Sequence, residues 1–358
     1  MIRAVPAIAA MAGYALAELD APGAVSLAQN ESAFAPSPKA LQAGQKALAD
    51  AALYPDPDWT ALRAAIASVH QIPADQILCG AGSMELIGAI IRAFAGPSDT
   101  VLGTEFGYLF AATASQQAGA SHLRAPEPSL VVSVDLLLAA VTPDTRIVFL
   151  CNPGNPSGTR ILNADILRLR DGLRDDILLV VDQAYGEFDD QNPADVLGLV
   201  TRGNTVVLRT FSKAYALASA RVGWGYFPPA VASETRKLLN PNNITGVSQA
   251  MAAAAMQDQP HMQGIVRQTA AIAAAFTGRL RASGYEVPDS HTNFVLIRFA
   301  DGGAAKRADA ALRSAGFMLR GMAGYGLPEC LRATIGTEAA MDAVATVLEH
   351  LEGDTDAP

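Results

Sequence analysis

The sequence predicts an α/β protein: a large domain built on a mostly parallel sheet flanked by helices, followed by a smaller α+β domain at the C-terminal end. Two observations carry this. Short β-branched runs alternate with stretches of helical period through the middle of the chain, the pattern of β-α-β units. After a long alanine-rich stretch the composition changes, and strand and helix patterns of a second, smaller set follow.

The clearest strands are expected at 100–103, 145–150, 177–181 and 205–209. Between them, a helix from Ser83 to Phe94 would set Leu86, Ile87, Ile90, Ile91 and Phe94 on one face at the 3.6-residue period, and 163–173 repeats that pattern. Residues 221–227 read as a further strand, and 230–239 as a helix that Pro241 stops. The Ala-rich 247–281 reads as helices leading out of the first domain. A strand at 293–298, a helix at 304–315, a strand at 331–335 and a helix at 338–351 then make the second domain. We find no internal repeat and no low-complexity linker. The expected division is an N-terminal arm (1–29) packed on the small domain, a large domain (30–260) and a small C-terminal domain (261–358).

With 358 residues, 50% of them hydrophobic, the chain can bury a large core, and a net charge of −9 with no basic run argues against nucleic acid. Net charge does not exclude a small anion, because local charge is independent of it. The three cysteines, Cys79, Cys151 and Cys330, lie apart in apolar stretches and suit buried reduced thiols and a cytoplasmic protein. The histidines show no metal-ligand spacing, so no metal is expected. No apolar run reaches the roughly 18 to 20 residues that span a bilayer. Residues 1–16 faintly resemble a signal peptide but are Ala/Gly-rich, so a packed terminal segment is the preferred reading.

Four polar clusters fall on one rim of the expected sheet, where open α/β sheets bind their ligands. Gly80-Ala-Gly-Ser-Met84 opens a helix, and its backbone N–H groups with the Ser83 hydroxyl suit a phosphate. It lacks the third glycine of a dinucleotide fingerprint, and no Walker-type loop occurs. Asn152-Pro-Gly-Asn-Pro-Ser-Gly158 is either a tight loop or a means of pointing the Asn155 amide into a cleft. Asp182 ends an apolar strand, with Tyr185 three residues later, and a buried carboxylate needs a cation or a proton. Thr210-Phe-Ser-Lys213 is followed by Arg221. Together these are partners for pyridoxal 5'-phosphate: a Schiff base on Lys213, Asp182 against the ring nitrogen, and Asn155 and Tyr185 on the ring hydroxyl.

In order along the chain, Asn30-Glu31, Tyr54-Pro-Asp-Pro57, Gly82-Ser83, Tyr108, the Asn152–Gly158 loop, Asp182-Gln-Ala-Tyr185, Ser212-Lys213, Arg221-Val-Gly223 and Leu331-Arg-Ala-Thr-Ile-Gly336 resemble the fold-type I, class I/II aminotransferases. Within them the chain looks most like the histidinol-phosphate aminotransferases. The resemblance implies the fold type I transferase architecture, with a seven-stranded, mostly parallel sheet. It implies that Lys213 shuttles the proton on the substrate α-carbon. Tyr108 would stack on the cofactor ring, and Gly82, Ser83, Met84, Thr210, Ser212 and Arg221 would hold the phosphate. Tyr54 would reach the partner's cofactor in a homodimer, and Arg332 would bind the substrate anion as a bidentate guanidinium. Tyr14, Asn30 and Arg320 would also face the substrate; Tyr14 could equally be a packing aromatic and Arg320 a surface charge, while Asn293 is read as structural. The reaction implied joins a small anionic amino donor, histidinol phosphate first, to an oxo-acid acceptor such as 2-oxoglutarate.

Three places depart from the family pattern: Met84 in the phosphate loop, Gln183 in place of a glutamate, and Gly154 with Ser157 in the asparagine loop. On the sequence they put the substrate in doubt rather than the chemistry. Rival readings are an aminotransferase for aromatic or other amino acids, a decarboxylase or lyase using the same cofactor, and a non-catalytic family member.

Overall fold

Apolar runs rich in Val, Ile and Leu demand burial on both faces, and the fold supplies it with helices on each side of a seven-stranded sheet. The computed structural model describes residues 2–11, 23–189 and 194–353. The N-terminal segment gives a two-residue strand, β1 (Val25–Ser26). The central sheet uses β2 (Ile77–Gly80), β3 (Thr100–Thr104), β4 (Ser121–Ala125), β5 (Thr145–Cys151), β6 (Leu178–Asp182), β7 (Thr205–Thr210) and β8 (Gly223–Tyr226). Their order is β2-β8-β7-β6-β5-β3-β4.

All neighbours run parallel except those of β8, which is antiparallel to both β7 and β2. That reversal matters for the site. The carboxyl ends of β2, β6 and β7 and the amino end of β8 meet on one rim, with Gly223 in register with both Gly80 and Thr210. The strand expected at 221–227 is therefore shorter. Arg221 stands in the left-handed region (φ 53°) and cannot be extended, so pairing starts at Gly223.

The helix Ser83–Phe94 lies as expected, with Leu86, Ile87, Ile90 and Ile91 buried against the sheet. Residues 163–173 form Asn163–Gly172, and the helix expected at 230–239 is Pro229–Arg236, ending well before Pro241. Gly246–Gln257 and Gln259–Ala282 account for the Ala-rich stretch. Met262 on the second of these packs in the large core, whereas Phe276 and Leu280 pack in a separate, smaller core.

The smaller core is built on β9 (Phe294–Arg298), β10 (Phe317–Met318), β11 (Arg320–Gly321) and β12 (Cys330–Thr334), with β11-β12-β9 forming an antiparallel sheet. Helices Gly302–Ser314 and Glu338–Gly353 cover it. β1 pairs in parallel with β10, and Leu27 enters this core, while the short helix Pro6–Ala9 lies against Leu109–Ala118 of the large sheet's helical layer. Cys79, Cys151 and Cys330 are buried and unbridged. No described helix is long and apolar enough to cross a membrane.

Candidate active site

Of the residues expected at the site, Asn30, Tyr185, Arg221 and Arg332 lie around Lys213, which follows β7 by three positions. The amine donates to the carbonyls of Asn30 (2.9 Å) and Gln29 (3.2 Å) and lies 6.0 Å from the centre of the Tyr185 ring. Burial lowers its pKa to about 7; Arg332 and Arg221 push the same way and Glu31 opposes them. At neutral pH such an amine is half protonated and can both take and give a proton.

Asp182 is the last residue of β6 and 2% exposed. Its Oδ1 accepts from the Ala184 N–H at 3.1 Å. Burial raises its pKa to about 7 against that one N–H. A folded pKa of about 7 against an ordinary 3.8 means the ligand-free protein binds a proton on folding between these values, so this group's stabilisation is full below pH 4 and lost as pH rises towards 7. The difference in Tm between ligand-free wild type and Asp182→Asn should therefore drift against the wild type from pH 4 to 7. A difference that is flat over that window would show that Asp182 ionises normally.

The place expected to hold an anion is formed by closely packed chain segments. Gly82 has φ +76°, and a Cβ there would stand 2.5 Å from an Arg221 guanidinium nitrogen. A Cβ on Gly223 would fall 2.3 Å from the Ser83 nitrogen. Both glycines are thus required for the turn before Ser83–Phe94 to approach β8 and Arg221. The Arg221 carbonyl accepts from the Gly82 N–H (3.1 Å), and its Nη1 reaches the Ala218 carbonyl (2.9 Å) and Ser212 Oγ (3.4 Å). Thr210 and Ser212 hydroxyls bond each other at 3.0 Å. A helix N-terminus, a guanidinium and two hydroxyls therefore face one space. Met84 is the second residue of that helix, so its backbone N–H is one of those left free at the helix start.

Arg332, on β12, is 7% exposed. Nη1 donates to Asn155 Oδ1 (2.6 Å) and Nη2 to the Ala28 carbonyl (2.9 Å), the Cζ lies 5.2 Å from the Phe294 ring centre, and the buried Nε has no partner. Among the described residues no carboxylate forms an ion pair with it, and burial lowers its pKa. Arg320 stands directly opposite it in the β11–β12 register. Two cationic side chains thus start from paired positions, an arrangement that favours an anion.

Asn30 (φ 55°) donates from Nδ2 to the Tyr185 hydroxyl at 2.8 Å, and burial raises the Tyr185 pKa. Tyr185 meets the Phe294 ring edge-on, with centroids 5.2 Å apart. Tyr108 stands immediately before helix Leu109–Ala118 at the end of the loop after β3. Tyr54 is not part of this group: it is 88% exposed. Tyr14 lies outside the described residues.

Two findings alter the expectations. Gln183 does not face the site; its Oε1 accepts from Arg209 Nη2 at 2.9 Å, beside the buried Arg209–Glu187 pair at 3.1 Å, so this departure from the family pattern is structural and says nothing of the substrate. Asn293, read as structural, donates to the carbonyls of Asn30 (3.1 Å) and Glu31 (3.3 Å), and Thr334 accepts the Asn30 N–H (2.9 Å). Both therefore orient the carbonyl that receives Lys213. Asn293 at the start of the 293–298 strand was the available signal; Thr334 offered none beyond its place two residues after Arg332.

A family model described as aminotransferase class I and II matches residues 22–348. The chain is 43% identical over 312 residues to the histidinol-phosphate aminotransferase of Jannaschia sp., covering 87% of each, and 43% identical over 333 residues to that of Paramagnetospirillum magneticum, covering 92% of each. Its structure is similar to that of the Sinorhizobium meliloti histidinol-phosphate aminotransferase in complex with pyridoxal-5'-phosphate, with a TM-score of 0.90, 28% identity, and 99% and 98% of the two chains covered.

Proposed function

Since the chain belongs to the class I and II aminotransferases, enzymes that work with pyridoxal phosphate, we propose that it transfers the amino group of histidinol phosphate to 2-oxoglutarate. The observation that carries this substrate reading is Arg332: a buried guanidinium with an unpartnered Nε and no ion-paired carboxylate, paired across two strands with Arg320. One arginine can hold the carboxylate of the acceptor in one half-reaction and the phosphate of the donor in the other. The relatives at 43% identity carry that substrate in their names.

The chain's residues fit the cofactor on one point above all. Asp182 is a buried carboxylate with a single N–H partner, and a protonated ring nitrogen is the cation its position calls for. When bound, pyridoxal phosphate supplies an electron sink for the charge left on the substrate α-carbon. The chain does the rest. Ser83, Thr210, Ser212 and Arg221 hold the phosphate, with Gly82 and Met84 supplying backbone. Asn155, Tyr185 and Tyr108 orient the ring, and Asn30 orients Tyr185. Lys213 anchors the cofactor and moves the proton at its Nζ, where a pKa near neutrality serves both directions. Arg332, Arg320 and Asn30 receive the substrate, with Tyr14 as a further candidate.

The working molecule in this reading is a cytoplasmic homodimer. Tyr54, exposed on its loop beside the exposed Leu48 and Leu53, reaches the partner's cofactor phosphate. Residues 1–29, 30–260 and 261–358 serve as arm, large domain and small domain, the passage of Gln259–Ala282 from one core to the other supporting the second boundary.

Arg320 provides the test of the distal anion. Arg320→Ala should raise the KM for histidinol phosphate about ten-fold, the loss of one charged hydrogen bond, and leave the KM for glutamate within about two-fold. Equal changes for both donors would remove Arg320 from phosphate recognition.

A further inference from the structure

One side chain outside the group around Lys213 ties together two loops. Asn243, between helices Pro229–Arg236 and Gly246–Gln257, accepts from Trp59 Nε1 at 3.0 Å through Oδ1. Through Nδ2 it donates to Glu85 Oε2 at 2.6 Å and to the Cys79 carbonyl at 3.1 Å. The same Glu85 oxygen accepts the Ala81 N–H at 2.6 Å. A continuous path of hydrogen bonds thus runs Trp59, Asn243, Glu85, Ala81, from the 54–59 loop to the turn that opens the anion pocket.

The loop end of this path is firmly seated. Trp59 is 1% exposed, in the left-handed region at φ 51°, with the Arg236 guanidinium carbon 4.2 Å from its ring centre. Arg236 also donates to the Pro57 carbonyl, and Gln249 Nε2 donates to the Asp56 carbonyl at 2.9 Å. Everything in the loop from Asp56 to Trp59 is held, while Tyr54 at its outer end stays 88% exposed. An amide suits the junction because it accepts at one end and donates at the other; a carboxylate there would face Glu85, and alanine would strand the Trp59 N–H and leave the Glu85 oxygen with the Ala81 N–H alone.

We propose that Asn243 is a positioning residue for two active sites at once: through Glu85 it fixes the phosphate turn of its own subunit, and through Trp59 it fixes the loop that carries Tyr54 to the partner's site. This rests on the homodimer reading above. Cofactor affinity at one site then depends on a residue of each subunit that never touches the cofactor.

Mixed dimers test it. One subunit carries Lys213→Ala, so borohydride can fix the cofactor covalently only to the other subunit. The fraction fixed, read by mass spectrometry of the Lys213 peptide over a range of cofactor concentrations, gives the half-saturating concentration of one site. Asn243→Ala should raise that concentration about five- to ten-fold when placed in the intact subunit, and again when placed only beside Lys213→Ala in the other subunit. Trp59→Phe, which keeps an aromatic ring but removes the N–H and the pyrrole part of the indole, should reproduce the cross-subunit effect. An effect confined to the subunit that carries Asn243→Ala, with Trp59→Phe silent across the interface, overturns the proposal. Tyr54→Phe beside Lys213→Ala is the control. If it leaves the intact site unchanged, the partner-tyrosine reading falls and the proposal with it; if it weakens the site while Asn243→Ala and Trp59→Phe in the same subunit do not, only the proposal falls.

Discussion

Lys213→Ala should lower the rate of amino-group transfer at least about a thousand-fold at saturating substrate and cofactor, and should abolish covalent fixing of the cofactor by borohydride. The reason lies in where the amine sits. It is half-buried between two carbonyls, near the cations Arg332 and Arg221, and its pKa falls to about 7. Alanine removes that amine, and among the described residues no other side chain donates to the Gln29 carbonyl, while the Asn30 carbonyl keeps only Asn293, an amide that carries no mobile proton. Lys213→Arg is the informative partner, because it keeps the charge but its guanidinium holds its proton at any working pH. It should be as inactive as alanine. A variant retaining turnover within ten-fold of wild type would show that the proton moves elsewhere.

Arg332→Ala should cut kcat/KM for both donor and acceptor by about 30- to 1,000-fold, the range for removing one side of a buried charged contact. The loss should sit mainly in KM. Arg332 also holds Asn155 at 2.6 Å, so a smaller change in the visible spectrum of the loaded enzyme is expected as that amide is released. Arg332→Lys preserves the charge and loses the two-pronged geometry, and should recover only part of the affinity. If cofactor affinity fell in Arg332→Ala while KM did not change, the arginine would be a strut for Asn155 and the Ala28 carbonyl and not a substrate ligand.

What the sequence disclosed followed burial. β5, β6 and β7 are buried almost throughout, Arg146 being exposed, and so read as apolar runs rich in Val, Ile and Leu, and Ser83–Phe94 carries a full apolar stripe. β2, four residues long, and the edge strand β4, half exposed with the pattern Ser-His-Leu-Arg-Ala, have no such signature; tertiary pairing alone defines them. The reversal of β8 was equally hidden, since its residues Gly-Trp-Gly-Tyr pack the same way in either direction, yet it is what brings Arg221 to the same rim as Lys213.

At the site, side chains at strand ends were legible: Asp182, Lys213 and Arg332 are polar residues that interrupt or follow apolar runs. Their partners were not. That Asn30 would turn its carbonyl to Lys213 and its amide to Tyr185 depends on a left-handed backbone held by Asn293 and Thr334, more than 260 residues away in the chain. Gln183 misled for a related reason. Its neighbours in sequence face the site, but alternation along the chain turns it to Arg209 behind the sheet.

The central claim is the donor. Loaded enzyme should be mixed, without acceptor, with histidinol phosphate, glutamate, phenylalanine or tyrosine, and the loss of visible cofactor absorption followed in a single turnover. Histidinol phosphate and glutamate should each convert the enzyme completely, with the aromatic amino acids much slower. Conversion by the aromatic amino acids with none by histidinol phosphate, or release of carbon dioxide without transfer of the amino group, would contradict it.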